Sequence, residues 1–284
     1  MNRDNHFIIC DNWLYYKIYT GYDFAEEILT NYLFPYLNDN ANIKKWFFIR
    51  YKDTDFHLRL RILSDENNLP LIMMGINKIL KRHYHDGVIS DLSINSYKQE
   101  IERYGKNTMQ LTETLFHLNS VLTVYLLDYI SNKEDENIRW LLGIKVIDHT
   151  LNHFNYNFEE KITFVETIKT IAYNGYSKNV SNLNKIANIN FNNNIENIEF
   201  YISQFDLFHF NPNLDIIEEP YFRTIEDIKN IFNLNQNEID KSEYINSIIH
   251  MNLNRLFKTR NTMNEFMCYY LLNRFYMYKL NSNK

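Results

Sequence analysis

Apolar and polar positions alternate with a period of two in parts of the first third of the chain, and a helical period dominates after it. WLYYKIYT (13–20), rich in aromatic and β-branched residues, predicts a strand. YDFAEEILTNYLFPYL (22–37) spaces its apolar residues as a helix does, with Pro35 near its end. WFFIRY (46–51) and FHLRLRIL (56–63) are strand-like runs separated by polar KDTD, the pattern of a β-hairpin. LPLIMMGINKILKRHY (69–84) reads as an amphipathic helix with Pro70 in its first turn, and VISDLSINSYKQEIERYG (88–105) begins in extended form. The order β-α-β-β-α-β predicts an α+β fold whose N-terminal part is a ferredoxin-like antiparallel sheet with helices on one face.

From about residue 107 the pattern is mainly helical, over 107–131, 137–155, 158–174, 225–233, 242–258 and 262–280. KEDEN (133–137) reads as a solvated turn, and the Asn-rich stretch 174–197 as a loop or insertion. Neither an internal repeat nor a Pro/Gly/Ser linker interrupts the chain. The economical reading is one domain over 1–284, sheet-containing to 105 and largely helical from 106.

Composition narrows the function classes. With only 6 Gly and 4 Pro in 284 residues, long regular elements are favoured over loops. A net charge of −5 argues against a broad nucleic-acid surface, and neither GxxxxGK[ST] nor GxGxxG is present to cradle a phosphate. Cys10 and Cys268 stand outside any CxxC, which fits a reducing compartment. MNRDNHFII lacks the form of a secretory signal. VLTVYLLDYI (121–130) is broken by Asp128 and too short to span a bilayer. A cytoplasmic protein without a membrane span is expected.

The candidate chemistry begins in the hairpin. Residues two apart on a strand share a face, so His57, Arg59 and Arg61 project together while Phe56, Leu58, Leu60 and Ile62 point to a core. Two guanidiniums roughly 7 Å apart along a strand suit a ligand with two carboxylates, each bound by one fork. A solvated polar strand face is the more ordinary meaning of the same spacing. Arg50 ends the preceding strand-like run. In YKQEIERYG (97–105), Glu100 and Arg103 are three apart, as a local ion pair or as an acid that orients an arginine. In SIIHMNLNRLF (247–257), His250 and Asn254 are i, i+4 partners on a helix, followed by Arg255. A lone helical histidine is usually a packing or capping residue, but beside arginines it is suited to proton transfer. His149 and His153 have metal-ligand spacing without a third ligand, so no metal site is expected.

Taken in order, FFIRYKDTDFHLRLRI, YKQEIERYG and SIIHMNLNRL resemble the C-terminal glutamate-elimination domain of class I lantibiotic dehydratases, also found as free-standing thiopeptide-type bacteriocin biosynthesis proteins. The resemblance implies a lyase. A separate tRNA-dependent glutamylating dehydratase subunit esterifies Ser or Thr of a leader-bearing precursor peptide. The elimination domain then removes the Cα proton and expels glutamate from Cβ, leaving dehydroalanine or dehydrobutyrine. By motif, the resemblance assigns catalysis to Arg59, Arg61, Arg103, Glu100 and His250, with Arg50, His57, Asn254 and Arg255 as neighbouring substrate-binding residues. It implies no metal or redox cofactor and no direct contact with nucleic acid, and a homodimer is a reasonable expectation. One departure is Lys106 after Gly105, where the family often doubles the glycine. Two alternatives share the scaffold: a [4+2] pyridine synthase of thiopeptide biosynthesis, and a non-catalytic subunit that presents a peptide on a sheet edge.

Overall fold

Strand-forming runs and helices alternate in the first part of the chain as their patterns require. In the computed structural model, residues 5–9, 11–175 and 180–282 are described, so Cys10 lies outside the described residues. The strands are β1 (His6–Phe7), β2 (Trp13–Thr20), β3 (Ile43–Lys52), β4 (Phe56–Ser64), β5 (Ile89–Asn95) and β6 (Tyr97–Lys98). The chain divides into two units, Met1–Asp128 with Glu226–Ile239, and Tyr129–Ile225 with Asp240–Lys284.

In the first unit, four strands pair in the order β3-β4-β2-β5, every neighbour antiparallel. One crossover is a continuous helical run: α1 (Tyr22–Glu27), a π-helical segment Ile28–Leu33, and α2 (Phe34–Asp39) with Pro35 in its first turn. The other is α3 (Leu69–His85), with Pro70 in its first turn. This is the ferredoxin-like arrangement the pattern predicts.

Leu14, Ile18, Phe48, Leu58, Leu60 and Ile62 are buried on one sheet face, as are Ala25, Ile28, Leu29, Leu33, Ile72, Ile76 and Leu80 of the crossover helices. Each such side chain contributes about 1.5–3 kcal/mol of apolar burial, which makes this face the core of the unit. The outer edge of β3 is sealed by α5 (Met109–Lys133). Ser120 Oγ accepts the Phe48 N–H at 3.3 Å, and His117 Nδ1 lies 3.0 Å from the Trp46 carbonyl. Covering an edge in this way satisfies backbone groups that would otherwise recruit another strand.

The segment after β5 forms a two-stranded ribbon, β1 with β6, and then the short helix α4 (Ile101–Tyr104). Gly105 ends α4 at φ 84°, where an L side chain is strained, and a Cβ there would collide with the Asn237 side chain. A residue without a Cβ is therefore favoured at the last position of the YKQEIERYG motif.

The second unit is built from α6 (Asn137–His153), α7 (Phe158–Gly175), α8 (Val180–Ser203), the first part of α9 (Asp215–Asn233), α10 (Lys241–Leu256) and α11 (Asn261–Ser282). Asp148 is buried with a full set of donors: Lys161 Nζ at 2.8 Å, Tyr276 Oη at 2.6 Å and Asn152 Nδ2 at 2.9 Å. Arg139 Nη1 donates to the Leu256 carbonyl at 2.6 Å and caps the C-terminus of α10.

Two stretches differ from the sequence reading. Helix α9 begins at Asp215, well before 225, with Asp215 and Glu218 in its first turn favouring the start and Pro220 tolerated inside. The Asn-rich stretch expected as a loop is helical from Val180, with a break at Asn194. Its apolar residues explain this: Ala187, Phe191, Ile198 and Tyr201, spaced by four, seven and three residues, fall on one helical face and are buried. Tertiary burial outweighs the weak helix propensity of the intervening asparagines.

Among the described residues no helix is long and apolar enough to cross a membrane, and no group of three or more His, Cys, Asp or Glu is placed to hold a metal. His149 and His153 lie with ring centroids 4.2 Å apart, beside Phe222, and the buried Nε2 of His149 has no hydrogen-bond partner among the described residues. Burial, followed by the neighbouring His153, holds the His149 imidazole well below its ordinary pKa. The unfolded chain therefore takes up a proton near pH 6.5 that the folded chain refuses, and stability falls as pH drops below that value. His149→Phe should remove about 1 kcal/mol of the stability lost between pH 7.5 and 5.5. Urea unfolding at the two pH values checks this, and an unchanged difference would show that His149 is protonated inside the fold.

Candidate functional site

Strand alternation and register together assemble a cationic face opposite the helix-covered one. Arg61 of β4 stands between Tyr15 of β2 and Phe47 of β3, and Arg59 between Lys17 and Ile49. His57 stands between Tyr19 and Tyr51. The three residues expected to project together do so, and β2 adds Lys17 to the same face.

Arg61 is 6% exposed. Its guanidinium carbon lies 4.6 Å from the Tyr15 ring centroid, 5.0 Å from Tyr97 and 5.3 Å from Phe47. Among the described residues it makes no ion pair, and its buried Nε has no acceptor. Cation–π contacts of about 0.5–2 kcal/mol each offset part of the cost of removing the group from water. They cannot supply the in-plane acceptors that a guanidinium fork seeks. A guanidinium held in this way can still accept a carboxylate in its plane.

The rings around Arg61 are themselves held. Tyr97 Oη donates to Glu113 Oε1 at 2.8 Å, and Gln99 Nε2 donates to the same oxygen at 2.8 Å. Burial raises the Glu113 carboxyl above its ordinary value, and raises the Tyr97 phenol further with Glu113 beside it. Tyr97 therefore keeps its proton for Glu113 and presents its ring to Arg61.

Arg59 is fixed differently. Its guanidinium lies 3.3 Å above the Tyr51 ring centroid, and its Nε donates to His57 Nε2 at 3.2 Å. His57 Nδ1 is 3.0 Å from the Asp55 carbonyl, so it carries the proton and Nε2 is the acceptor. Burial lowers the His57 pKa, which favours this neutral tautomer. Arg59 thus has its orientation set by a neutral histidine and a tyrosine ring, with Nη2 3.9 Å from Asp53 Oδ2 of the β3–β4 turn.

Glu100 and Arg103 lie at α4, with Glu100 Oε2 3.7 Å from Arg103 Nη1 and both side chains well exposed. An exposed pair of this kind adds little to stability. The Arg103 guanidinium sits 5.5 Å from the Tyr104 ring, Tyr104 meets Phe116 edge-on at 5.2 Å, and Phe116 lies 5.4 Å from Phe47 beside Arg61. Glu100 also acts on the Tyr97 phenol. The first unit therefore brings Arg59, Arg61, Glu100 and Arg103 to one region.

Arg50 is not part of it. The side chain points to the opposite, helix-covered face, 1% exposed, with Nη2 2.7 Å from Glu26 Oε1. Strand parity is the reason, since Arg50 pairs with Leu58 and shares its face. In the second unit, His250 is half-buried on α10 with Nδ1 2.8 Å from Glu265 Oε2 of α11. Asn254 is half-buried one turn further on, whereas Arg255 is fully buried with Nη1 3.3 Å from Asn252 Oδ1. Arg255 is thus packed in the interior of the second unit.

Sequence reasoning did not single out Lys17, Tyr15, Tyr97 or Asp53. The odd-numbered parity of WLYYKIYT would have found Tyr15 and Lys17 once β2 was paired with β4. A cavity of about 700 Å³ lies elsewhere, between α3 and β5, lined by Tyr16, Met73, Met74, Leu92 and Ile94. It is on the other sheet face and holds none of these cations.

The family described as lantibiotic biosynthesis dehydratase C-term matches residues 13–276. Nisin biosynthesis protein NisB of Lactococcus lactis subsp. lactis is 31% identical over 94% of this chain and 26% of its own length. Epidermin biosynthesis protein EpiB of Staphylococcus epidermidis is 24% identical over 90% of this chain and 25% of its own. The chain thus spans about a quarter of the length of these curated relatives. The tRNA-dependent lantibiotic dehydratase MibB from Microbispora sp. 107891 superposes with a TM-score of 0.67 at 16% identity, over 97% of this chain and 29% of that one. The pyridine synthase TbtD from thiomuracin biosynthesis superposes with a TM-score of 0.69 at 13% identity, over 96% of this chain and 100% of that one. At these identities the superpositions establish a common fold.

The placement of Arg50 separates stability from ligand binding. Arg50→Met removes the mostly buried ion pair with Glu26 and should lower stability by about 3 kcal/mol. Binding of a free dicarboxylate to the folded protein should stay unchanged. Urea unfolding and calorimetric titration check the pair, and a weakened dicarboxylate with intact stability would return Arg50 to the site.

Proposed function

The chain belongs to the lantibiotic biosynthesis dehydratase C-terminal family, and we propose that it eliminates glutamate from glutamylated Ser and Thr residues of a precursor peptide. The product is dehydroalanine or dehydrobutyrine. The observation that carries this reading is Arg61, a buried guanidinium that makes no close ion pair among the described residues, beside a second oriented arginine.

The chemistry asks for such a face. A base takes the Cα proton, the Cα electron pair forms the Cα–Cβ double bond, and the Cβ–O bond breaks to release glutamate. The glutamyl group carries a free carboxylate throughout, and its ester becomes a second carboxylate on departure. Arg61 and Arg59 would bind these charges, and fixed donors aimed at a developing anion are worth about 2.7–4 kcal/mol each when removed from comparable sites. Glu100 would position Arg103. His250 is the residue proposed for proton transfer, with Glu265 orienting its ring through Nδ1 and leaving Nε2 for the proton. The peptide would come glutamylated from a tRNA-dependent partner activity, which agrees with a net charge of −5.

Formal [4+2] cycloaddition is the second reading, and the likeness to TbtD over its full length favours it on fold alone. Joining two dehydroalanines releases no carboxylate and gives Arg61 no anion to hold.

A precursor peptide already glutamylated by its dehydratase, incubated with the protein and followed by intact mass, tests the reading. Wild type should release glutamate and leave a dehydrated peptide. Arg61→Ala and His250→Ala should each slow that step by roughly 100-fold or more. A persistent adduct, together with leader loss and cyclisation of a pre-dehydrated peptide, would replace elimination with cycloaddition.

A further inference from the structure

The turn between β3 and β4 places a carboxylate directly over the cations of the site. Asp53 Oδ2 is 3.8 Å from Lys17 Nζ and 3.9 Å from Arg59 Nη2, and Asp53 Oδ1 is 3.8 Å from His57 Nδ1. None of these contacts is a close hydrogen bond. Asp53 Oδ1 instead accepts the Thr54 N–H at 2.8 Å, inside the turn. Lys17 is one-fifth exposed and lies beside Arg59 across the β2–β4 ladder. Two cations on a sheet face thus share one acid that is anchored to its own loop and stops short of either.

We propose that Asp53 is a resident counter-ion that holds the Lys17–Arg59 position in the free protein and yields it to the carboxylate of the ligand. In this assignment Lys17 is a third anion-binding residue of the face and Asp53 a specificity-determining one. The proposal rests on the elimination reading only in naming that ligand as a glutamyl group. Three features support it. The 3.8–3.9 Å separations leave the cation donors unsatisfied at full strength, so a ligand carboxylate at hydrogen-bond distance displaces Asp53 at little loss. Asp53 is 39% exposed in a turn and keeps water as an alternative partner once displaced. Arg59 is held by His57 and Tyr51 and keeps its orientation when Asp53 leaves. The resident acid also screens the face against stray anions. Arg61, which makes no close ion pair among the described residues, would take the first carboxylate, and the Lys17–Arg59 position would take the second.

The design has a signature that a simple structural ion pair lacks. Removing Asp53 should strengthen binding of a dicarboxylate, whereas removing Lys17 should weaken it. Calorimetric titration of L-glutamate into wild type, Asp53→Asn, Lys17→Gln and Lys17→Arg provides the test. Unfolding midpoints should be measured alongside to confirm that each variant is folded. Asp53→Asn should lower the Kd about three- to ten-fold, and Lys17→Gln should raise it by a similar factor. Lys17→Arg should restore wild-type affinity. An Asp53→Asn protein that binds glutamate no better than wild type, or no binding of glutamate by either, would overturn the proposal. The elimination assay is scored separately. Tighter glutamate binding by Asp53→Asn in a protein that does not eliminate would retain the displaceable counter-ion and reject the reaction.

Discussion

A guanidinium taken out of water must be met by an anion or by a surrogate, and in this fold Arg61 is met by three aromatic rings. The rings accept its charge at their faces while its Nε remains without an acceptor. Much of the surrounding structure keeps that situation stable. Glu113 and Gln99 fix Tyr97, the β2–β4–β3 register fixes Tyr15 and Phe47, and Phe116 backs Phe47 from α5.

The period-two geometry of the sheet determines which residues take part. His57, Arg59 and Arg61 share a face because they alternate, and the antiparallel ladders bring Lys17, Tyr15, Phe47 and Tyr51 beside them. The same rule sends Arg50 through the sheet to Glu26. A slip of one residue would exchange the cationic face for Leu58, Leu60 and Ile62, so the apolar packing on the helix side is what holds the chemistry in register.

This division explains what could be read from the chain in advance. The strands, the ferredoxin-like order and the joint projection of His57, Arg59 and Arg61 follow from local pattern. The positions of Arg50, Lys17 and Asp53 depend on which strands pair and in what register, which is a long-range property. Arg255 and His250 differ by five positions on one helix, and only packing distinguishes the buried one from the half-buried one. The helix at Val180–Ser203 was obscured because asparagine weakens local propensity while the burial of Phe191 and Ile198 does not depend on it. Membership of the lantibiotic dehydratase C-terminal family was legible from three ordered motifs.

We propose that Arg61 receives the carboxylate of a ligand. A crystal of the protein soaked with L-glutamate tests it most directly. The account expects a carboxylate within about 3 Å of the Arg61 guanidinium, in its plane, with Tyr15, Phe47 and Tyr97 unmoved. An Arg61 fork that remains empty while glutamate binds elsewhere would contradict it.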